Sequence, residues 1–540
     1  MSVARGQAPW DFCFVRNENL IFIVAYNHER FIKDVVRRIP EPVLLDPANE
    51  LLIIDDASRD ETFKVSEAVS RVAAPRMRVT VLKSPTNQGY GGNQKLGYRY
   101  AIDQGFQRVF LIHGDGQYAP ELLPDLIAEY ARDERPDAVF GTRMADWSSP
   151  LRGGMPVYKF IGNKVLTTIQ NAVLGTRMSE FHSGYRSYST ALLRRIPFER
   201  NANDFHFDTE IIIQAQAVGA KIKEVPISTH YGDEVCHVDG MKYARNVIRA
   251  SMHYQLQRFG FLYDRRFDFG TQEYPLKPSP HSSHGRIIGR VTPGSRVLDV
   301  GCGRGFLARK MIDKGCVVDG IDVLDRDRVT PGLNRYLQTD LSHERTHELA
   351  AWMAEETYDF VILGDVLEHL VDPEGFLDLL RANLRRDRDV TVVVSTGNVA
   401  FMVVRAMLAL GQFNYGPRGI LDRTHTRLFT RKSLRAIFEQ AGFQVLRQDG
   451  IPLPATAALG DDSRIGKTFE AANATLASRR PGLFAYQLWL EARPHPTVEQ
   501  MLAITTEHSR TLRSGLDAEG PNGPPITPLH AKGTSVRKRA

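Results

Sequence analysis

Two short stretches hold the residue types that group-transfer chemistry uses. In Leu111-Ile112-His113-Gly114-Asp115-Gly116-Gln117-Tyr118 an apolar run stops, and a polar group with one carboxylate follows at once. A buried parallel strand delivers a metal ligand to the carboxyl edge of a sheet in this way, and α/β proteins bind nucleotides at that edge. In Arg296-Val297-Leu298-Asp299-Val300-Gly301-Cys302-Gly303-Arg304-Gly305 a strand runs into Gly-x-Gly-x-Gly. A second strand, Val317 to Asp322, ends in an acid roughly 20 residues on, the spacing at which an acid holds ribose hydroxyls. The glycines of such a turn let a ligand approach the backbone.

The elements that must position these residues read as two α/β patterns. Leu20–Ala25, Leu51–Ile54, Val79–Leu82 and Val109–Ile112 are strands separated by helical segments. Alternation at this spacing predicts a parallel sheet with right-handed crossovers. Tyr263 to Ser283 is rich in Pro, Ser and charge, with Pro275, Pro278 and Pro280 close together, and marks a boundary. A second set of strands follows it. The tail from about Ser514 is rich in Gly and Pro, ends in basic residues, and is expected to lack order at its end. The expected domains are therefore 1–260, a linker at 261–283, a second domain at 284–500 and a C-terminal extension at 501–540.

A chain of 540 residues is too long for one ordinary core. With 42% hydrophobic and 24% charged residues it has the composition of a soluble globular protein. The net charge of +6 gives no reason to read nucleic-acid binding and suits anionic small molecules. The four cysteines, Cys13, Cys236, Cys302 and Cys316, have no paired spacing, which argues against a disulfide framework or a zinc site. No uncharged apolar run nears the ~20 residues needed to cross a bilayer. The expectation is a cytoplasmic protein without a transmembrane segment, compatible with peripheral contact at the inner face of a membrane.

The first half resembles a family. Tyr26-Asn27 after a strand, then Asp55-Asp56-Ala57-Ser58-Arg59-Asp60-Glu61-Thr62, Asn87-Gln88-Gly89-Tyr90-Gly91 and strand–Asp115 look like family-2 glycosyltransferases of the GT-A fold. The nearest branch is similar to dolichol-phosphate mannose synthases and other polyprenyl-phosphate glycosyltransferases, over roughly residues 18–245. The resemblance implies a nucleotide-sugar donor held by Tyr26, Asn27, Asp56, Asp115, Arg143 and Lys242. It also implies Mg²⁺ or Mn²⁺ on the diphosphate, with Asp115 as ligand and Gln117 as second ligand or water anchor. The family's first metal-edge Asp is His113 here; histidine ligates Mn²⁺ as a neutral imidazole and suits Mg²⁺ poorly. Lys159 and Asn163 lie where the branch carries groups for phosphate. Glu180-Phe181-His182-Ser183-Gly184-Tyr185-Arg186 resembles its Asp-x-x-Ser-Gly-Phe-Arg, and His230-Tyr231 and Gly240-x-Lys242 follow. A phosphate acceptor arrives ionised, whereas a hydroxyl acceptor needs a base; Glu180 and then Asp208 are the candidates. Several alternatives stand beside these roles. Asp55 caps or holds its loop. The glycines from Gly89 to Gly97 either cradle phosphate or close-pack a turn. Glu180 orients Arg186. The helix from Val157 to Leu174, with Phe160, Ile161, Val165, Ile169 and Val173, either packs on the sheet or lies at a lipid interface.

The second half, roughly residues 280–495, looks like the class I methyltransferases that use S-adenosylmethionine. Gln338-Thr339-Asp340-Leu341, the run Tyr358 to Leu370, and Ala441-Gly442-Phe443 before a late strand sustain the likeness. It implies Asp299, Gly301 and Gly303 at the methionine end, Asp322 on the ribose and Asp340 at the adenine. Leu367-Glu368-His369 orders a loop or places a reactive His369. His425, within Asp422-Arg423-Thr424-His425-Thr426-Arg427, is a candidate base for an acceptor hydroxyl or a structural hydrogen-bonding residue. Phe401 to Leu410 reads as a lid or core helix.

The whole predicts two α/β domains, a GT-A nucleotide-diphospho-sugar transferase and a Rossmann-like methyltransferase. The expected activities are inverting, metal-dependent sugar transfer to a polyprenyl-phosphate or saccharide acceptor, and methylation, by its chemistry O-methylation, of a glycan or related small molecule. Transfer to a saccharide hydroxyl, or a degenerate first domain that only binds, are the competing readings.

Overall fold

A computed structural model describes residues 17–518 except 74, 133–134, 146–148, 229–238, 270–278, 342–345, 385–388 and 457–462. The chain forms two compact units. One is Met1–Tyr274 with Val403–Thr424 and Pro454–Glu470; the other is Pro275–Met402 with His425–Leu453 and Ala471–Ala540.

The first unit has a GT-A fold built on strands β1 (Asn19–Ala25), β2 (Asn49–Asp55), β3 (Arg78–Lys83), β4 (Arg108–His113), β5 (Ala138–Thr142), β6 (Arg186–Ser189) and β7 (Ile222–Pro226). Their order in the sheet is β3-β2-β1-β4-β6-β5-β7. The pairs are parallel except those of β6, which runs antiparallel to β4 and β5. β1 and β2 are buried along their whole length, which is why they read as near-continuous apolar runs. Leu20, Phe22 and Val24 enter one core, and Ile21, Ile23 and Ala25 the other, as the two-residue period of a strand requires. Each such buried side chain contributes about 1.5–3 kcal/mol. The register sets Ala25 opposite Asp55 and Val24 opposite His113. The polar residues that follow β2 and β4 therefore flank the end of β1.

The glycines after β3 serve packing. A Cβ on Gly97 would stand 2.1 Å from the Phe22 ring, and one on Gly91 would stand 2.4 Å from the Ala202 carbonyl. The helix Tyr90–Asp103 can lie on β1 only because Gly97 lacks a side chain, and against the Ala202 backbone and Phe207 only because Gly91 does.

The helix Val157–Leu174 departs from the packed-on-the-sheet reading. Its buried residues are Asn163, Thr167, Gln170 and Leu174. Val157, Tyr158, Ile161 and Val165 are 62%, 72%, 55% and 51% exposed. The polar stripe faces inward and much of the apolar stripe faces out, the reverse of an ordinary surface helix.

The second unit is Rossmann-like: β8 (Arg296–Val300), β9 (Val317–Asp322), β10 (Arg335–Gln338), β11 (Phe360–Gly364), β12 (Thr391–Gly397), β13 (Phe443–Ile451) and β14 (Gln487–Pro494). The order is β10-β9-β8-β11-β12-β14-β13, with β14 antiparallel to both neighbours. The helix expected near Phe401 to Leu410 runs Met402–Ala409. The first part of the C-terminal extension is helical, Val498–Ala518; residues 519–540, and with them most of the tail, lie outside the described residues. Among the described residues no helix is long and apolar enough to cross a membrane.

Candidate active sites

At the carboxyl edge of the first sheet the loops after β1 and β2 hold one another. Asn27, in the left-handed region at φ 57°, donates its N–H to Ser58 Oγ at 2.8 Å and accepts from Arg59 N–H at 3.0 Å. Ala57 is also left-handed, at φ 59°, a conformation that costs a non-glycine residue energy and clusters at functional edges. Asp55 accepts from Ser58 N–H at 2.9 Å and pairs with Lys83 at 3.3 Å, so it holds its loop. Asp56 accepts from the N–H groups of Gln88 at 2.7 Å and Gly89 at 2.9 Å. Burial raises its pKa in spite of these bonds. An ionised carboxylate offers about four acceptor positions, so Asp56 retains some for a ligand.

Past β4, Asp115 accepts from the backbone N–H of Gln117 at 3.0 Å, which fixes the turn that carries both expected metal ligands. His113 turns to another partner. Its Nε2 meets Tyr90 Oη at 3.0 Å, and its ring lies edge-on to Tyr90 and Tyr118. Burial pushes its pKa down to about 4, so it is a neutral imidazole. Tyr90 also donates to Asp208 at 3.0 Å, and Gln94 donates to the other Asp208 oxygen at 3.1 Å. Arg186 lies 3.8 Å from Asp208. Its guanidinium donates to the carbonyls of Ser183, Asp208 and Phe181.

Glu180 does not orient Arg186. It accepts from Arg143 N–H at 2.7 Å, Arg143 Nε at 2.8 Å and Asn163 Nδ2 at 2.7 Å. Burial opposes its charge, but the Arg143 guanidinium and these hydrogen bonds hold its carboxyl below the usual range. Arg143 and Asn163, both expected near phosphate, are thus bound to a carboxylate. His182 shares a 2.8 Å hydrogen bond between Nδ1 and Tyr243 Oη, while its Nε2 is buried without a partner. Lys242 is exposed and pairs with Asp204 at 3.1 Å. His230 and Tyr231 lie outside the described residues. Among the described residues no three His, Cys, Asp or Glu side chains form a group that could hold a metal ion.

Tyr90, Gln94, Tyr118 and Tyr243 have no role in the sequence reading, yet they join its carboxylates and histidines. Tyr90 stood within a motif that drew notice for its glycines.

The second site lies at the ends of β8, β9 and β11. Gly301, Gly303 and Gly305 take φ of 67°, 56° and 78°, and a Cβ on Gly303 would meet only open space. Asp322 accepts from Gly303 N–H at 2.6 Å and Leu324 N–H at 3.1 Å. The exposed Asp340 follows Thr339, whose N–H donates to the Asp322 carbonyl at 2.9 Å. Asp299 is buried with one carboxylate oxygen unpartnered. Burial, and then the Asp322 charge, push its pKa up to about 7. Glu368 likewise has an unpartnered buried oxygen, and burial followed by Asp365 lifts it to about 7. Its carbonyl accepts from the N–H groups of Thr426 at 2.8 Å and Arg427 at 3.1 Å. This fastening brings the His425 ring edge-on to His369, with centroids 4.8 Å apart.

Two α/β folds, each with polar loops gathered at the carboxyl edge of its sheet, define the chain as a transferase with two domains. Residues 20–198 match the family model for glycosyl transferase family 2, and residues 276–448 match that for a methyltransferase domain. The chain joins a family-2 glycosyltransferase domain to a methyltransferase domain. It is 27% identical over 226 residues to a UDP-N-acetylglucosamine–dolichyl-phosphate N-acetylglucosaminyltransferase of Methanococcus voltae, covering 40% of this chain and 87% of that protein. It is 28% identical over 214 residues to an undecaprenyl-phosphate mannosyltransferase of Micrococcus luteus, covering 39% and 82%. The second half is 27% identical over 229 residues to a ubiquinone biosynthesis O-methyltransferase of Aromatoleum aromaticum, covering 41% and 96%.

Proposed function

We propose that the first domain transfers a sugar from a nucleotide-sugar to a polyprenyl phosphate, and that the second methylates a hydroxyl of a glycan or related molecule. One observation carries the choice of acceptor. Both candidate bases at the first site are engaged by donors of the protein itself, Glu180 by Arg143 and Asn163, and Asp208 by Tyr90 and Gln94. A hydroxyl acceptor would need one of them as a base; a phosphate oxygen is already a nucleophile. In this reading the two carboxylates position the site. The acceptor oxygen bonds to the anomeric carbon as the bond to the diphosphate breaks.

The donor's base and ribose fall to Tyr26, Asn27 and Asp56, and its diphosphate side to Lys242. Asp115 with Gln117 forms an oxygen pair suited to a hard divalent cation that shares its remaining positions with a diphosphate. Such a cation polarises the leaving group when bound. His113, turned to Tyr90, stands behind this pair.

The exposed apolar stripe Val157, Tyr158, Ile161 and Val165, with Lys159 and Lys164 on the same helix, supports contact with a lipid surface. The two polyprenyl-phosphate transferases among the relatives point the same way.

In the second domain Asp299, Gly301, Gly303, Asp322 and Asp340 are the residues for S-adenosylmethionine. The open space at Gly303 and the unpartnered oxygen of Asp299 fit a ligand with a cationic ammonium. That cofactor supplies an electrophilic methyl group. His425, set by its contact with His369, takes the acceptor's proton.

Labelled nucleotide-sugar supplied with either polyprenyl phosphate or a soluble saccharide tests the first half. Label in the lipid is expected; label in the saccharide alone overturns it. Turnover with no donor and metal would leave the first domain as a binding module. For the second half, His425→Ala should lower methyl transfer by about 10²-fold or more, the usual share of a positioned base, with unchanged S-adenosylmethionine affinity by calorimetry. An unchanged rate would remove the base.

A further inference from the structure

The Arg143 guanidinium, expected to meet phosphate, is neutralised by Glu180. The counter-charge for an acceptor phosphate must then come from elsewhere. The helix Gly240–Arg258 offers a place. Lys242, Asn246, Arg249 and His253 recur every three or four residues and so share one face. Lys242 and Asn246 line a cavity of about 80 Å³ together with Phe205, Tyr243 and two carboxylates, Asp204, which pairs with Lys242, and Asp239, which caps the helix. Asn246, Arg249 and His253 line a second cavity of about 270 Å³ with His206 and Arg266. His206 and Asn246 line both, so the two adjoin.

The smaller cavity adjoins residues of the transfer site. Phe205 stacks on Tyr90 at 5.3 Å, and Tyr90 bonds His113 and Asp208. Tyr243 bonds His182. The larger cavity is also lined by Glu210, and Arg266 is shared between that carboxylate and Asp264. Glu210 pairs with Arg266 and accepts from Ala202 N–H at 2.6 Å. Asp264 pairs with Arg266 and lies 3.4 Å from His253. Arg249 has no ion pair or hydrogen bond among the described residues. One unpaired guanidinium beside an amide and two imidazoles is a donor set for phosphate oxygens.

We propose that the cavity lined by Arg249, Asn246, His206 and His253 is the subsite for the acceptor's phosphate monoester, with Arg249 as its principal cation. The assignment rests on the reading that the acceptor of the first domain carries phosphate. It explains how the site manages without Arg143, and it gives the polar face of this helix a task.

The test measures binding to the full chain by calorimetry at low ionic strength, where exposed charges are least screened. The probes are farnesyl phosphate, glycerol phosphate and a nucleoside diphosphate. Arg249 is exposed and unpaired, so Arg249→Glu should fold as the wild type does, which its melting curve checks. Farnesyl phosphate should bind the wild type and bind Arg249→Glu at least tenfold more weakly, with Arg249→Lys between them and nucleoside diphosphate affinity unchanged. Equal binding of farnesyl phosphate to wild type and Arg249→Glu overturns the proposal, as does a wild type that binds neither monoester. Glycerol phosphate bound as tightly as farnesyl phosphate, and equally lost in Arg249→Glu, supports the subsite and assigns it to a soluble monoester. Arg249-dependent binding without any sugar transfer to polyprenyl phosphate also supports the subsite, and it is then the proposed acceptor that fails.

Discussion

The two sites occupy the same place on their sheets and differ in how their buried carboxylates are paired, although Asp322 of the second, like Asp56 of the first, accepts two backbone N–H groups. In the first unit Asp56, Glu180 and Asp208 each accept two or more hydrogen bonds from the protein itself. In the second, Asp299 and Glu368 each keep a buried oxygen without a partner, and both sit at a pKa of about 7. An unpaired buried acceptor is costly. In the proposed reading a ligand completes that of Asp299, which stands beside the glycine turn. The ligand of the second site should therefore bring positive charge or donors, as the ammonium of S-adenosylmethionine does. The first site ties Glu180 and Asp208 into its own framework. Both edges hold strained non-glycine residues, Asn27 at φ 57° and Ala57 at φ 59° in the first and Asp365 at φ 58° in the second.

The largest effect expected from this contrast is at Asp115, the carboxylate of the first site assigned to a metal. Asp115→Ala should lower sugar transfer by about 10³-fold, since Lewis-acid stabilisation supplies several kcal/mol. Methyl transfer and S-adenosylmethionine affinity should not change. Sugar transfer within a few-fold of wild type would show that Asp115 holds no metal.

Next comes the self-contained pair. Glu180→Ala leaves the Arg143 guanidinium buried without its carboxylate, which costs about 3–5 kcal/mol. The thermal transition of the first unit should fall, and that of the second should stay. A double variant, Glu180→Leu with Arg143→Met, should recover much of the loss, because removing both charges removes the unpaired one. A loss below about 1 kcal/mol in the single variant, the range of surface pairs, would mean that the pair is not part of the framework.

This contrast was only half legible in the sequence. The strands β1, β2 and β4 and the glycine turn after β8 could be read because fully buried parallel strands give unbroken apolar runs that end on polar residues. The strand β6 could not. Its residues Arg186–Ser189 are polar, and their place between β4 and β5 depends on long-range antiparallel pairing. The outward apolar face of Val157–Leu174 was hidden for a related reason: periodicity gives two faces but not which one is buried. At the sites, residue types led to Asp115, Asp299 and Asp322, while partners stayed out of reach. That Glu180 meets Arg143 and not Arg186, or that Tyr90 joins His113 to Asp208, follows from how loops after different strands meet.

The open carboxylate of the second site gives a smaller, double effect. Asp299→Asn should weaken S-adenosylmethionine binding by about tenfold to a hundredfold, the worth of a hydrogen bond to a charged group. The same change should stabilise the ligand-free second unit at pH 8, where the wild type must hold a buried carboxylate without a partner. Function and stability then move in opposite directions at this one atom. A variant that loses binding and also loses stability would show that Asp299 supports the fold and not the ligand.

The pH dependence is the smallest effect and the most direct probe of the contrast. Burial, and then the Asp322 charge, raise the folded pKa of Asp299 to about 7, from roughly 3.9 for a free aspartate. Between those values the ligand-free folded state holds a proton that the unfolded state has released, so stability falls as pH rises through this window. Glu368, also raised to about 7, adds to the same slope. A cationic ligand requires the ionised form of Asp299, so its affinity should rise with pH, by up to about tenfold per unit below pH 7, and level off above it. In Asp299→Asn that rise should largely vanish. Wild-type affinity that stays flat from pH 6 to 8 would mean that Asp299 is already ionised without ligand, and the two sites would then handle their carboxylates alike.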